Sequence, residues 1–306
     1  MPRARAAFIE LMKPLLIVNP VAGQGKPEQS LDAVVAAFRP LDPEVFLTGK
    51  AGDAEEAAAR AARSGDFDSI IVAGGDGTVN EVVNGFLAAS GDLSLAIVPT
   101  GTQNVLAYEL GLANIPLDRL CSLMASGKSR SIDVGKLDGR YFTLMAGFGF
   151  DAVVVRDVQR QIKDLIGPAA YALSTLAALT KYRSTSMRLT LDGETFTTEA
   201  FLLIVANSAS YAYHHVKLAP FASLDDGWLD ICVFERPPTD RFGFAAQVVA
   251  LFTSRHLRDP RVRYYRARSI KIDSVPSAAV QLDGDIFGST PVSIEVVPRA
   301  LSVFAP

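Results

Sequence analysis

Short apolar runs alternate with longer amphipathic stretches from Pro14 to about Ser131. Residues 15–18 lead to a helical pattern at about 29–38. Residues 44–48 lead to an alanine-rich helix whose first turn, Asp53-Ala-Glu-Glu56, places acids at the positive end of the helix dipole. Residues 70–73 and 95–98 are short and free of polar side chains, as strands buried on both faces are. This alternation predicts a parallel α/β sheet. After Ile132-Asp-Val134 the pattern changes. Residues 140–146, 187–191, 200–206, 229–234, 269–272 and 292–297 read as strands separated by Asp-Gly, Pro and Ser turns, with one helical stretch at 157–182. Asp192-Gly193 between two alternating runs predicts a tight hairpin. The second half therefore reads as antiparallel β. The expected division is 14–133 for the α/β domain and 134–298 for the β domain, with a short ordered connection near Asp133.

Composition narrows the function classes. With 306 residues and 49% hydrophobic content, the chain can bury cores for two ordinary domains. A formal net charge of −3 gives no global reason to expect nucleic acid as a partner. Cys121 and Cys232 sit in apolar surroundings without metal-ligand spacing, so they read as buried thiols in a reducing cytoplasm. No apolar run reaches the roughly 18 residues of a membrane span. The nearest, 165–179, is interrupted by Gly167 and Pro168, and residues 1–12 lack the apolar core of a signal peptide. One local exception to the acidic balance is 255–271, where Arg255, Arg258, Arg261, Arg263, Arg266, Arg268 and Lys271 face a single acid, Asp259. Such a stretch suits either a solvated strand face or anionic lipid headgroups, at about 1 kcal/mol per basic residue.

Candidate chemistry collects where the predicted parallel strands end. Ile70-Ile-Val-Ala73 stops in Gly74-Gly-Asp-Gly-Thr78, and a helical pattern resumes at Glu81. Strand, glycine turn and helix make a phosphate-binding arrangement. The glycines permit positive φ and close backbone approach, helix N–H groups favour an anion, and Asp76 adds a carboxylate able to hold a metal ion or position a hydroxyl. The dinucleotide fingerprint fails because Asn80 stands where its third glycine belongs. A phosphate loop of the Walker type fails at Gly25-Lys26, where Pro20 and Pro27 occupy the first-glycine and hydroxyl positions. Asn19-Pro-Val-Ala-Gly23, Thr48 and Thr100-Gly-Thr-Gln-Asn104 end the other strands. Four such ends on one sheet edge predict a nucleotide or phosphate cleft.

Asn19-Pro-x-x-Gly23, Gly74-Gly-Asp-Gly-Thr78, Asn80-Glu81-Val-Val-Asn84-Gly85 and Pro99-x-Gly-Thr-x-Asn104, in this order, resemble the diacylglycerol kinase catalytic-domain family, which includes sphingosine and ceramide kinases. The likeness continues through Gly147-Phe-Gly-Phe-Asp151, Asp225-Asp-Gly-Trp-Leu-Asp230, Asp283-Gly-Asp285 and Pro298 to Pro306, nearly the whole chain. The resemblance implies an α/β nucleotide domain like those of NAD kinases and phosphofructokinases, followed by an antiparallel β-sandwich that receives the lipid. Residues from about 299–306 would return to the first domain. It also implies ATP between the domains, contacted by Asn19, Pro20, Val21, Ala22, Gly23, Thr48, Gly74, Gly75, Asp76, Gly77, Thr78, Val79, Asn80 and Thr102.

The same resemblance assigns the general base to Asp285 or Asp283, with Asp76 beside them in catalysis. A structural Mg2+ would sit at the Asp226 carboxylate and the carbonyls of Ser223 and Trp228, and Asp151 would touch the lipid head group. From the residues alone, Asp283-Gly-Asp285 is also an ordinary hairpin turn, Asp225-Asp-Gly a commonplace turn, and Asp151 a helix cap. Val105 and Tyr108 depart from the family, in which an acid and a base are common at those places. The loop Tyr211-Ala-Tyr-His-His215 lacks the glycines often found there.

The implied activity is ATP-dependent phosphorylation of a hydroxyl on a diacylglycerol-like or sphingoid lipid. A same-fold kinase of a small soluble alcohol, or a silent nucleotide- or lipid-binding regulator, stays open. Expected partners are the lipid, a transient membrane surface and a second copy as a homodimer, but no nucleic acid. The expected location is cytoplasmic, peripheral at the inner membrane face.

Overall fold

The computed structural model describes residues 12–22, 30–150, 152, 184–211, 213–235, 250 and 253–306. Gly23, Asp151 and the helix expected at 157–182 lie outside them. The chain divides into two compact units, Met1–Val134 with Pro298–Pro306, and Gly135–Val297.

In the first unit, strands and helices alternate: β1 Pro14–Val18, α1 Leu31–Phe38, β2 Glu44–Leu47, α2 Asp53–Ser64, β3 Ser69–Gly74, α3 Asp76–Ala88, β4 Ser94–Pro99, α4 Val105–Glu109 and α5 Leu117–Ala125. β5, Ser129–Leu137, then leads into the second unit. The strands lie parallel in the order β4, β3, β1, β2, with Leu15 opposite Ile70, Ile70 opposite Leu95 and Val18 opposite Leu47. The C-terminal end of the chain extends this sheet, pairing Ser302 with Ser94 in parallel. Leu16, Ile17, Ile70, Ile71 and Leu95 are fully buried, as are Phe38 and Phe86 on the helices. Burying each such side chain contributes on the order of 2 kcal/mol. Gly85 lets α3 lie directly on α2, because a Cβ there would stand 2.1 Å from the Glu55 carbonyl oxygen.

The second unit is antiparallel. Its strands are β6 Arg140–Phe142, β7 Met145–Gly149, β8 Thr185–Leu191, β9 Glu194–Ala206, β10 Ser210–Tyr211, β11 Tyr213–Lys217, β12 Leu229–Glu235, β13 Val262–Ala267, β14 Ser269–Val275, β15 Ala279–Leu282 and β16 Asp285–Ser289. β17, Val292–Phe304, runs beside β14 before it leaves for the first unit. Asp192 and Gly193 join β8 to β9 with φ of 48° and 97°, the left-handed pair that a two-residue hairpin needs. β9 is buried on both faces at its C-terminal end. Leu203 and Val205 enter one apolar cluster, while Leu202 and Ile204 enter another. Both cysteines are free and buried, and burial pushes the Cys232 thiol up to about 12.

Three expectations change. Residues 140–146 form two strands, because Thr143 and Leu144 leave the ladder to bind a carboxylate described below. The loop expected at 211–215 is mostly strand, with β10 and β11 forming a two-stranded ribbon. The basic stretch is partly neutralised: Arg261 pairs with Asp259 at 2.8 Å, Arg263 with Glu235 at 3.6 Å, and Arg266 with Asp226. Among the described residues, no helix is long and apolar enough to cross a membrane.

Candidate active site

β3 ends at Gly74 and α3 begins at Asp76, so the glycine turn is shorter than its sequence implies and Gly77 is already helical. None of Gly74, Gly75 and Gly77 has positive φ. Their use is close approach. A Cβ on Gly74 would stand 2.5 Å from the Thr78 Cβ, and one on Gly101 would stand 2.4 Å from the Gly75 Cα. The two loops therefore meet backbone against backbone, and the Thr100 N–H donates to the Gly74 carbonyl at 3.1 Å. Asn104, itself at φ 50°, brackets Gly101 by accepting from its N–H at 2.9 Å and donating to its carbonyl at 2.8 Å. The Thr100 hydroxyl is buried without a hydrogen-bond partner.

The first turn of α3 is left open beside this contact. Gly75 caps the helix without a side chain, and nothing lies within 4 Å of where a Gly77 Cβ would be. Uncapped N–H groups at the start of a helix attract an anion. Asn19 joins the next strand end to this one: its N–H donates to the Ala73 carbonyl at 2.9 Å and its side-chain amide to the Thr78 hydroxyl at 3.2 Å. Ala22 and Val21 turn back on Asn19, Pro20 and Val21 are exposed, and the Thr48 N–H donates to the Val18 carbonyl at 3.0 Å. The C-terminal ends of β1, β2, β3 and β4 thus carry Asn19 to Ala22, Thr48, Gly74 to Thr78 and Thr102 on one sheet edge. Val79 and Asn80 are buried within α3. A shallow depression at the opposite edge, around Lys13, Asp42 and Arg60, holds none of the motif residues.

Asp76 faces inward. Its two carboxylate oxygens accept the N–H groups of Val105 at 3.0 Å and Leu106 at 3.2 Å, capping α4 from a different loop. Burial raises its pKa above the ordinary carboxylate value, and the hydrogen bonds from Val105 and Leu106 oppose that rise. Val105 is buried with its N–H on Asp76.

In the second unit, Asp283 and Gly284 form the two-residue turn between β15 and β16, at φ 48° and 96°. The hairpin reading is therefore the local structure, but the turn does more than reverse the chain. One Asp283 oxygen accepts the Thr143 N–H at 2.7 Å and the Thr143 hydroxyl at 3.0 Å, while the other accepts the Leu144 and Met145 N–H groups, both at 2.9 Å. Burial raises the Asp283 pKa, and these donors, Thr143 first, act against it. Gln281 takes the Gly284 N–H at 2.7 Å, and Asn207 donates to the Thr143 carbonyl at 2.9 Å. Asp285, by contrast, is exposed at the head of β16, and Ile286 and Phe287 beside it are exposed too. Thr143, Asn207, Gln281, Gly101 and Asn104 support the two loops. Of these, only Gly101 and Asn104 belong to a recognisable motif, whereas the Thr143 contact spans 140 positions.

The residues expected to hold a structural metal are arranged otherwise. One Asp226 oxygen accepts the Trp228 N–H at 3.1 Å and the other pairs with Arg266, while the Ser223 hydroxyl binds Asp225 at 2.9 Å. A guanidinium stands against the carboxylate that a cation would need, so this turn does not fit a divalent ion. Among the described residues, no group of three or more His, Cys, Asp or Glu side chains is placed to hold a metal.

Residues 13–137 match the family described as the diacylglycerol kinase catalytic domain, and residues 145–305 match the YegS C-terminal NAD kinase beta sandwich-like domain. The chain belongs to the diacylglycerol kinase family. It is 32% identical over 293 residues to a diacylglycerol kinase of Bacillus subtilis (strain 168), covering 95% of each chain. A diacylglycerol kinase of Staphylococcus aureus (strain bovine RF122 / ET3-1) is 31% identical over 293 residues, covering 95% of this chain and 91% of that one. Among solved structures, a diacylglycerol kinase from Bacillus anthracis str. Sterne superimposes with a TM-score of 0.72 at 26% identity, covering 96% of this chain and 97% of that one. This member of a family of lipid kinases has the fold its motifs imply, an α/β unit and a β-sandwich-like unit.

Proposed function

We propose that this lipid kinase transfers the γ-phosphoryl group of ATP to a hydroxyl of a diacylglycerol-like lipid, visiting the inner face of the membrane as a peripheral protein. The observation that carries the nucleotide half is the backbone contact of Gly75 with Gly101 beside the open first turn of α3. That pairing leaves amide groups, rather than side chains, facing the place where phosphates would lie. Asn19 to Ala22, Thr48, Gly74 to Thr78 and Thr102 line the nucleotide, while Val79 and Asn80 hold α3 in place from within. Gly23 belongs with them by its motif. Phosphoryl transfer asks mainly for positioning and charge neutralisation. Mg2+ arriving with the nucleotide supplies part of that neutralisation.

Asp285 acts as the general base. It takes the hydroxyl proton as the lipid oxygen bonds to the γ-phosphorus and the bond to the ADP oxygen breaks. Asp283 is the positioning residue of the same turn, because its carboxylate is already committed to Thr143, Leu144 and Met145. A lipid acceptor is favoured by the apolar pair that follows the base, Ile286 at 43% and Phe287 at 39% exposure. Asp151 would contact the head group. Buried Val105 motivates a second reading, a silent nucleotide-binding regulator.

The test offers labelled ATP with diacylglycerol, a sphingoid base or glycerol, the lipids being presented in mixed micelles. Label in diacylglycerol supports the proposal, and label in glycerol alone replaces it with a soluble-alcohol kinase. Nucleotide binding in a direct titration with no labelled acceptor leaves the regulator.

A further inference from the structure

The turn at Ser223 to Trp228 is built around a cation that the chain itself provides. β12 and β13 pair so that Asp230 lies directly opposite Arg266. From that register the Arg266 guanidinium reaches two of the motif's three acids. It contacts the Asp226 carboxylate, and its Nε lies 3.6 Å from an Asp230 oxygen. Asp230 is completely buried, which raises its pKa, and the Tyr264 hydroxyl and the Arg266 guanidinium beside it favour its ionised form. A planar guanidinium with five donors can serve two carboxylates at once.

Arg266 is held in this position from its other side. Its guanidinium lies 5.5 Å from the centre of the Trp228 ring, and that of Arg268 lies 4.4 Å from the same ring. Trp228 in turn gives its N–H to the Asp226 oxygen that Arg266 leaves. Both Asp226 oxygens are thereby committed, one to a backbone amide and one to a cation. A divalent ion would have to displace the guanidinium before it could bind.

We infer that Arg266 is the resident cation of this turn and replaces the divalent metal that its Asp-Asp-Gly sequence implies. The second unit then folds without Mg2+, and Mg2+ enters the protein only with nucleotide.

The full chain without nucleotide should be titrated with Mn2+ and followed by electron paramagnetic resonance, with thermal unfolding measured in Mg2+ and in EDTA. Wild type should show no Mn2+ site that Asp226→Asn removes, and its unfolding midpoint should be the same in Mg2+ and EDTA. Arg266→Gln should unfold at a lower temperature, gain a Mn2+ site and recover part of the lost midpoint in Mg2+. Adding Asp226→Asn should abolish both gains. A wild-type Mn2+ site lost in Asp226→Asn would overturn the inference, as would a wild-type midpoint that rises with Mg2+ only while Asp226 is present. The wild-type and Asp226→Asn comparison decides the matter even if Arg266→Gln does not fold.

Discussion

The Gly74 to Thr78 loop and the Asp283 to Asp285 turn are built on the same device and put it to different ends. Each buries a carboxylate that binds backbone N–H groups of a distant segment, Asp76 those of Val105 and Leu106, and Asp283 those of Thr143, Leu144 and Met145. In the first loop the buried acid sits beside an open helix N-terminus, and the presented chemistry is amide. In the second, the buried acid fixes a turn whose next carboxylate, Asp285, is exposed. An aspartate in a functional motif is therefore not a catalytic group by virtue of its place there. Commitment to backbone N–H groups marks the acids that hold the site, and exposure marks Asp285 as one that can act in it.

The sharpest way to break this comparison is to exchange the two kinds of acid. Asp285→Asn should lower phosphate transfer about 100-fold or more, the scale of a lost general base, while shifting stability by no more than about 0.5 kcal/mol. Steady-state rates and urea unfolding of the same preparation read both. Asp283→Ala should do the reverse first, losing about 3–5 kcal/mol in urea unfolding because buried donors are left unpaired. A stable Asp283→Ala with no activity would reverse the roles assigned here.

Gly101→Ala probes the glycine contact itself. The added methyl collides with Gly75, so nucleotide affinity should fall about 10-fold and stability by about 1–3 kcal/mol, measured by calorimetric titration and by unfolding. Asp76→Ala removes a helix cap supplied from another loop and should cost about 1 kcal/mol, with faster amide exchange at Val105 and Leu106. The smallest effect belongs to Arg261→Gln. The Arg261 guanidinium hydrogen-bonds to Asp259 and holds that carboxyl below its usual range, so the pair contributes at neutral pH and is lost as the pH falls through the lowered value. Its exposure limits the loss to under about 1 kcal/mol, and the difference from wild type should close in acid.

Much of this is legible in the amino-acid sequence. The alternation of apolar runs and helical stretches specified the parallel sheet, because strands buried on both faces are largely apolar. Asp192-Gly193 specified its hairpin, because that turn needs two left-handed residues. Gly74 and Gly75 serve a different purpose from the one their sequence suggests, since the space they clear is filled by Thr78 and by the second loop, and positive φ plays no part. That purpose lies in contacts between segments, which spacing does not encode. The same is true of Asp283, whose partners stand some 140 positions earlier, and of Arg266, which reaches Asp226 only through the register of β12 with β13. The basic stretch reads as unpaired in the sequence because two of its acidic partners, Asp226 and Glu235, lie outside it.

The central claim is a division of labour within one turn, with Asp285 taking the proton and Asp283 holding the backbone. It is tested most directly by single-turnover transfer from ATP to diacylglycerol in mixed micelles, for wild type, Asp285→Asn and Asp283→Asn at saturating nucleotide, with the folded fraction of each preparation measured alongside. The account predicts that Asp285→Asn stays folded and loses at least about 100-fold in rate, whereas Asp283→Asn loses folded protein and keeps its rate per folded molecule. A folded Asp285→Asn that keeps the wild-type rate, beside a folded Asp283→Asn that has lost it, would contradict it.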